Sequence, residues 1–282
     1  MSASELAEAH GLAKVGGRPP LHHYLVQVWR RRDFTISLAR FRIQSENERN
    51  RLGMLWVLLR PCFSAIVYGL VFGLILAASR PDNFVPFLVI GVFALEFFNS
   101  SLNQGAKSII SNSALVQSLP FPRMVLPLAT VIQQLMNFVP TLALMIALTM
   151  IWGARPDVLW LLLIPLLAIF FVLNTGVGLI AARLTVHVRD LSQFIPFISR
   201  MIFYTSGVFF DPMNIVRDHP GLQVVFDWHP LYNILAIMRG ILLPDYAIPE
   251  QYWLHVSLWA VVLFVIGVVF FWQAEERYGR DD

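Results

Sequence analysis

Residues 54–78 read MLWVLLRPCFSAIVYGLVFGLILAA, and the stretch carries one charged side chain, Arg60. About 20 mostly apolar residues suffice to cross a bilayer as a helix. The run does not alternate apolar and polar positions, so a barrel strand is excluded and a helix is the remaining spanning form. Runs of the same kind recur at Phe84–Leu102, Val125–Trp152, Val158–Ala182, Phe194–Phe210 and Trp253–Trp272. The expected fold class is therefore an all-α integral membrane protein with six transmembrane helices.

Composition agrees. The 282 residues are 57% hydrophobic and only 14% charged, against about 25% charged in a soluble domain. Mean hydropathy is +0.63. Too few charges remain to cover a water-facing surface, which excludes an ordinary soluble enzyme, a nucleic-acid binder and a disordered chain. The lone cysteine, Cys62, sits in the first apolar run and excludes an intrachain disulfide.

The basic residues report topology. Arg30, Arg31, Arg32, Arg40, Arg42, Arg49 and Arg51 precede the first span, whereas the loops after the first and third spans hold only Arg80 and Arg155. By the positive-inside rule both termini are expected in the cytoplasm. The first twenty residues are polar and no apolar signal core follows, so no cleaved leader is expected. The expected organisation is a cytoplasmic segment over 1–53, a membrane domain over 54–272 and a cytoplasmic tail over 273–282.

Two regions do not span. Leu21, Tyr24, Leu25, Val28 and Trp29 follow the spacing of an amphipathic helix, with Arg30, Arg31 and Arg32 behind it. A helix lying in the headgroup layer, or packed on a partner, fits that pattern. Between spans five and six, Asp211–Tyr252 is too long for a tight turn and too apolar for a free loop. Leu231, Ile234, Leu235, Met238 and Leu242 form a helical stripe behind Pro230. Short re-entrant or interfacial helices are expected there.

Several chemistries are missing. The chain has two lysines, Lys14 and Lys107, and neither stands in a phosphate-binding G-x-x-x-x-G-K-[ST] loop. His22 and His23 are adjacent, on different sides of a helix, and no metal site is expected. Ionisable residues inside the spans are few: Arg60, Glu96 and Arg200. Such groups are functional candidates by default. Glu96 and Arg200 are as readily an interhelical ion pair, and Arg60 suits a lipid phosphate through its planar fork.

Four local patterns lead further. They are Arg32-Asp33-Phe34 with Arg40-Phe41-Arg42 and Leu52-Gly53-Met54-Leu55-Trp56 through Pro61; Phe121-Pro122-Arg123-Met124-Val125-Leu126-Pro127-Leu128; Arg189-Asp190-Leu191; and His229-Pro230-Leu231-Tyr232 with Arg239. In this order, and placed this way among the spans, they resemble the ABC-2 type permeases of polysaccharide and lipid-linked glycan exporters, the family that carries O-antigen, capsule, teichoic acid or galactan. Two features depart from that family: His229 stands where Asn is usual, and Gln44–Arg51 is longer and more charged than the usual link.

The resemblance implies the permease subunit of an ATP-driven exporter in the bacterial inner membrane, moving polyprenyl-pyrophosphate-linked polysaccharide. It implies a homodimer bound to two copies of a separate ABC ATPase. This chain would be non-catalytic and hold no cofactor, with ATP and Mg bound by the partner. Lys107, Ile109, Ile110 and Leu115 match the family's coupling helix, and Arg189 and Asp190 are a second contact or a local cap of span five. Tyr68, Phe72, Phe203, Tyr204, Phe209 and Phe210 are candidates to line the glycan channel, and Arg60 to meet the lipid pyrophosphate. Gly69 and Gly73 form a G-x-x-x-G that permits close helix approach, between subunits or within one. An ABC-2 permease for drug or lipid efflux and an ion-coupled secondary transporter remain as alternatives. A membrane glycosyltransferase or phosphatase would need clustered acids or a phosphate site that the chain does not display.

Overall fold

The computed structural model describes residues 19–49, 51–75, 83–216 and 218–278. Lys14, Arg18, Arg80, Arg280 and positions 76–78 of the first span lie outside the described residues. The helices are α1 (Leu21–Arg30), α2 (Arg32–Arg49), α3 (Leu55–Ile75), α4 (Phe84–Lys107), α5 (Ser113–Ser118), α6 (Val125–Ile151), α7 (Leu163–His187), α8 (Leu191–Thr205), α9 (Pro212–Ile215), α10 (Pro220–Asp227), α11 (Pro230–Leu242) and α12 (Glu250–Gln273). Short 3-10 turns cover Ile110–Asn112, Val158–Leu162 and Glu275–Arg277. The described residues contain no strand, as the fold class required.

Five helices are long and apolar enough to cross a membrane: Leu55–Leu74, Phe84–Lys107, Val125–Ile151, Val158–His187 and Glu250–Gln273. The expected fifth span is corrected. Phe194–Phe210 is realised as α8, which has 15 residues and stops at Thr205. At 1.5 Å per residue that is about 22 Å, short of a hydrocarbon core of about 30 Å. The chain turns at Ser206 and at Gly207, whose φ is +72°, a conformation glycine adopts without steric cost. A β-carbon on Gly207 would also sit 2.7 Å from the Pro212 ring. Phe209 and Phe210 therefore follow the helix and do not extend it.

α4 is the centre of the bundle and α3 its outside. Of the most apolar stretch of each, 78% of α4 is buried inside the chain and 11% of α3. α4 packs on α6, α7, α8 and α3, and α12 lies along α7. The α7–α12 approach is possible because Gly176 faces Gly267. A β-carbon on either would come within 2.5 Å of the other helix's backbone. Gly69 and Gly73 seat Leu88 and Phe84 of α4, so the G-x-x-x-G serves packing within the chain.

Before α3, the chain climbs α6. Arg42 donates to Thr130 Oγ1 (2.8 Å), Gln133 donates to Glu46 Oε1 (3.0 Å) and the Thr141 hydroxyl reaches the Val57 carbonyl (3.5 Å). The unusual Gln44–Arg51 link is thus helical through Arg49 and runs against the bundle. α1 is the expected amphipathic helix, but its stripe is divided. Tyr24 is buried in the chain and Leu21 and Val28 pack against the same cluster, while Leu25 and Trp29 stay exposed. The His22 and His23 rings do not diverge as expected; their centroids are 4.1 Å apart on an exposed turn.

At the opposite end, the expected helices within Asp211–Tyr252 are α9, α10 and α11. Every residue of the α11 stripe is buried. His229 does an N-cap's work: its Nδ1 accepts from the Tyr232 amide at 3.1 Å.

Candidate functional site

The aromatic residues singled out in α3 and near α8 converge. The Phe209 ring stacks on Phe72 at 4.0 Å between centroids and lies 5.1 Å from Tyr68, 5.5 Å from Phe203 and 5.8 Å from Tyr204. Tyr68 also meets Phe203 at 5.4 Å. The turn at Gly207 makes this cluster, because it folds Phe209 back between α3 and α8. Phe209 and Phe203 are buried, Tyr68, Phe72 and Phe210 half-buried, and Tyr204 exposed. Phe209 is thus the packed centre and Tyr204 the accessible edge. Phe210 makes no ring contact with the others among the described residues.

A second feature lies where α2, α3, α4 and α6 meet: a cavity of about 100 Å³ lined by polar side chains and by the rings of Phe93, Phe97 and Phe138. Arg60 and Trp56 stand on its α3 side and Glu46 on its α2 side. α4 contributes Glu96, Ser100 and Gln104, and α6 contributes Gln134, Asn137 and Thr141. Gln134 donates to Gln104 Oε1 at 2.9 Å, and the Ser100 hydroxyl to Glu96 at 3.2 Å. Glu96 makes no ion pair with Arg200, which is exposed on α8. The interhelical ion-pair reading is thereby corrected. The polar stripe of α4 was not anticipated. Glu96, Asn99, Ser100, Asn103 and Gln104 recur at helical spacing in an otherwise apolar run, and that periodicity was the available signal.

The coupling candidates gather at the end that carries both described termini. The Thr185 hydroxyl donates to the Ala106 carbonyl, which ties the end of α7 to the end of α4. The Lys107–Leu119 and Val188–Leu191 turns therefore share one surface. Lys107, Arg189 and Asp190 are exposed, and Ile110 is 41% exposed. Ile109 is not available to a partner: it is buried with Val116 against Tyr24, Phe121 and Met124, and Leu115 is half-buried beside them. The segment is also not one helix but a 3-10 turn followed by the six residues of α5. Asp190 is the N-cap residue of α8 but its side chain accepts no capping hydrogen bond, so a local cap does not occupy it.

One residue beyond all of these motifs organises that end. Glu275 accepts from the Tyr24 hydroxyl at 2.6 Å and from the Arg123 amide at 2.9 Å. The Arg123 guanidinium lies 3.6 Å from the same carboxylate. Tyr24 in turn accepts from the Met124 amide at 3.2 Å. Glu275 thus joins α1, the Phe121-Pro122-Arg123 turn and the C-terminal region.

Comparison with known proteins agrees with this architecture. The model of the ABC-2 type transporter family matches residues 35–243. The chain is 28% identical over 236 residues to an O-antigen export system permease protein RfbA of Klebsiella pneumoniae, covering 81% of this chain and 86% of that protein. It is 26% identical over 254 residues to the protein of the same name from Myxococcus xanthus, covering 89% and 94%. The polysialic acid transport protein KpsM of Escherichia coli is 22% identical over 228 residues, covering 80% and 87%. With its all-helical bundle and a family match running from α2 to the end of α11, the chain belongs to the ABC-2 type transporter family.

Proposed function

We propose that this chain is the permease subunit of an ATP-driven exporter that moves polyprenyl-pyrophosphate-linked polysaccharide across the bacterial inner membrane. It works as a homodimer with two copies of a separate ABC ATPase, which binds ATP and Mg, and both termini face the cytoplasm. The observation that carries this reading is the ring cluster between α3 and α8. Phe72, Tyr68 and Tyr204 around a buried Phe209 present flat apolar faces with two hydroxyls, a surface on which successive sugars stack without a fixed register. The relatives named for O-antigen export and polysialic acid transport support the same cargo class.

Force enters at the terminus-bearing end. Lys107, Ile110, Arg189 and Asp190 are its exposed groups, and Ile109 and Val116 anchor the turn from behind. Arg60, exposed near the start of α3, meets the lipid pyrophosphate.

The test is co-purification of this chain with an ATPase, followed by ATP turnover with and without lipid-linked glycan. Stimulation of turnover by the glycan is expected. Lys107→Glu with Ile110→Asp should uncouple turnover from transport without unfolding the chain, since both side chains are exposed. Cargo movement by the reconstituted chain alone, down an ion gradient and without an ATPase, would overturn the reading in favour of a secondary transporter.

A further inference from the structure

The polar cavity between α2, α3, α4 and α6 contains an unmet acceptor. Asn137 Oδ1 is buried on its wall with no hydrogen-bond partner, and Asn99 Oδ1 and Asn103 Oδ1 are buried without donors on the neighbouring stripe of α4. A buried polar atom left unpaired costs about 1–3 kcal/mol, so native structures retain few of them. At about 100 Å³ the cavity has room for far more than one water molecule, which needs only about 10–15 Å³.

The walls select the chemistry of what enters. Glu46 and Glu96 are acceptors when ionised, and the Asn137 oxygen is an acceptor as well. The Thr141 hydroxyl is turned to the Val57 and Asn137 carbonyls. A ligand inside must therefore bring donors for these acceptors, and the side-chain amides of Gln104 and Asn137 let it accept as well. A phosphate leaves the Asn137 oxygen unmet and adds negative charge beside the Glu46 and Glu96 carboxyls. Glu96 and Asn137 are half-buried, whereas Glu46 is exposed, as is the cation on the lining, Arg60. Trp56, 37% exposed, stands beside it.

We propose that this cavity is a binding site for the sugar that adjoins the pyrophosphate of the lipid carrier. It rests on the proposed function and gives that site a specificity. Sugar hydroxyls donate to Asn137, Glu46 and Glu96, the indole of Trp56 takes an apolar ring face at the mouth, and Arg60 meets the phosphate outside. The chain thereby distinguishes a loaded carrier from an empty one before the glycan reaches the α3–α8 rings.

The experiment uses the full chain with its ATPase in lipid nanodiscs and two probes, polyprenyl pyrophosphate and the same lipid bearing one N-acetylglucosamine. The wild type should bind the sugar-bearing lipid more tightly. Asn137→Leu should weaken that lipid about tenfold, the worth of one hydrogen bond at a buried site, and leave the sugar-free lipid unchanged. Its thermal stability should hold or rise, because an unpaired amide has been removed. Trp56→Leu, at an exposed position, should show the same selectivity, whereas Arg60→Gln should weaken both lipids alike. Equal binding of the two lipids, or equal loss of both in Asn137→Leu, would mean that the cavity holds water only and would overturn this proposal alone. Binding of neither lipid by the wild type would overturn the proposed function with it.

Discussion

The two ends of the bundle are closed by opposite charges. At the far end, Arg239 is buried, and its hydrogen bonds among the described residues all go to backbone carbonyls, with the Asp211 carboxylate acting on it electrostatically. Its guanidinium donates to the carbonyls of Gly207 (2.9 Å), Val208 (3.2 Å) and Phe87 (3.4 Å), and lies 3.3 Å from the Phe87 ring. At the terminus-bearing end, Glu275 is equally hidden and gathers N–H and O–H donors from Arg123 and Tyr24. The difference follows the backbone each one meets. Arg239 faces two carbonyls just past the end of α8 and that of Phe87 in the first turn of α4, and Glu275 faces the Arg123 amide just before α6 begins. A helix C-terminus presents partial negative charge and its N-terminus partial positive charge. Each buried ion is thus matched to backbone beside a helix end, and Glu275 has the Arg123 guanidinium at 3.6 Å as well.

The contrast can be broken most severely at Arg239. Arg239→Met should cost roughly 3 kcal/mol or more, because the carbonyls of Gly207 and Val208 lose charge-assisted donors. Thermal unfolding in detergent reads this. Arg239→Lys should recover only part of it, since a single ammonium cannot reach three carbonyls as a planar fork does. A methionine variant as stable as wild type would show that the turn after α8 holds without the cation.

Glu275→Ala comes next, at about 2 kcal/mol, and its effect should be local. α1 should gain hydrogen exchange and protease sensitivity while α4 does not. Uniform loosening of the whole bundle would contradict the picture of a latch on one end.

The two ends also differ in response to pH. Burial, the largest cause, pushes the Glu275 carboxyl above its ordinary value of 4.5, and the Arg123 amide and the Tyr24 hydroxyl pull it part of the way back. Burial and the nearby Glu275 carboxylate likewise push the Tyr24 hydroxyl well above its ordinary value of 10.0. With a folded value above the unfolded one, the contribution of Glu275 is complete below pH 4.5 and is lost as the pH rises through the raised value. Glu275→Gln cannot titrate. The melting temperature of wild type relative to this variant should therefore decline from acidic to neutral pH. A constant difference over that range would mean that the carboxyl does not change its protonation on unfolding.

The smallest effect is expected at Tyr232, whose hydroxyl donates to Asp211 at 3.1 Å beside the Arg239 site. Tyr232→Phe should cost about 1 kcal/mol. A larger loss would place Tyr232 within the Arg239 device and not beside it.

Much of this was legible in the sequence. The apolar runs alone yield the five helices long and apolar enough to cross a membrane to within a few residues, since only a helix satisfies its own backbone in lipid. The α11 stripe and the α1 periodicity were readable for the same local reason. The aromatic cluster was named residue by residue, although the sequence placed Phe209 and Phe210 inside a helix.

What the sequence alone determined is every feature governed by neighbours along the chain: hydropathy, helical period, and the absence of a phosphate-binding loop. Tertiary structure decided the rest. It ended α8 at Thr205, because Arg239, distant in sequence, supplies donors to the carbonyls beyond it. It buried Ile109 and Val116 under Tyr24, and it set Glu96 against a cavity and not against Arg200. Each of these depends on which helix faces which, and an apolar helix looks equally content facing lipid or protein until its neighbours are in place.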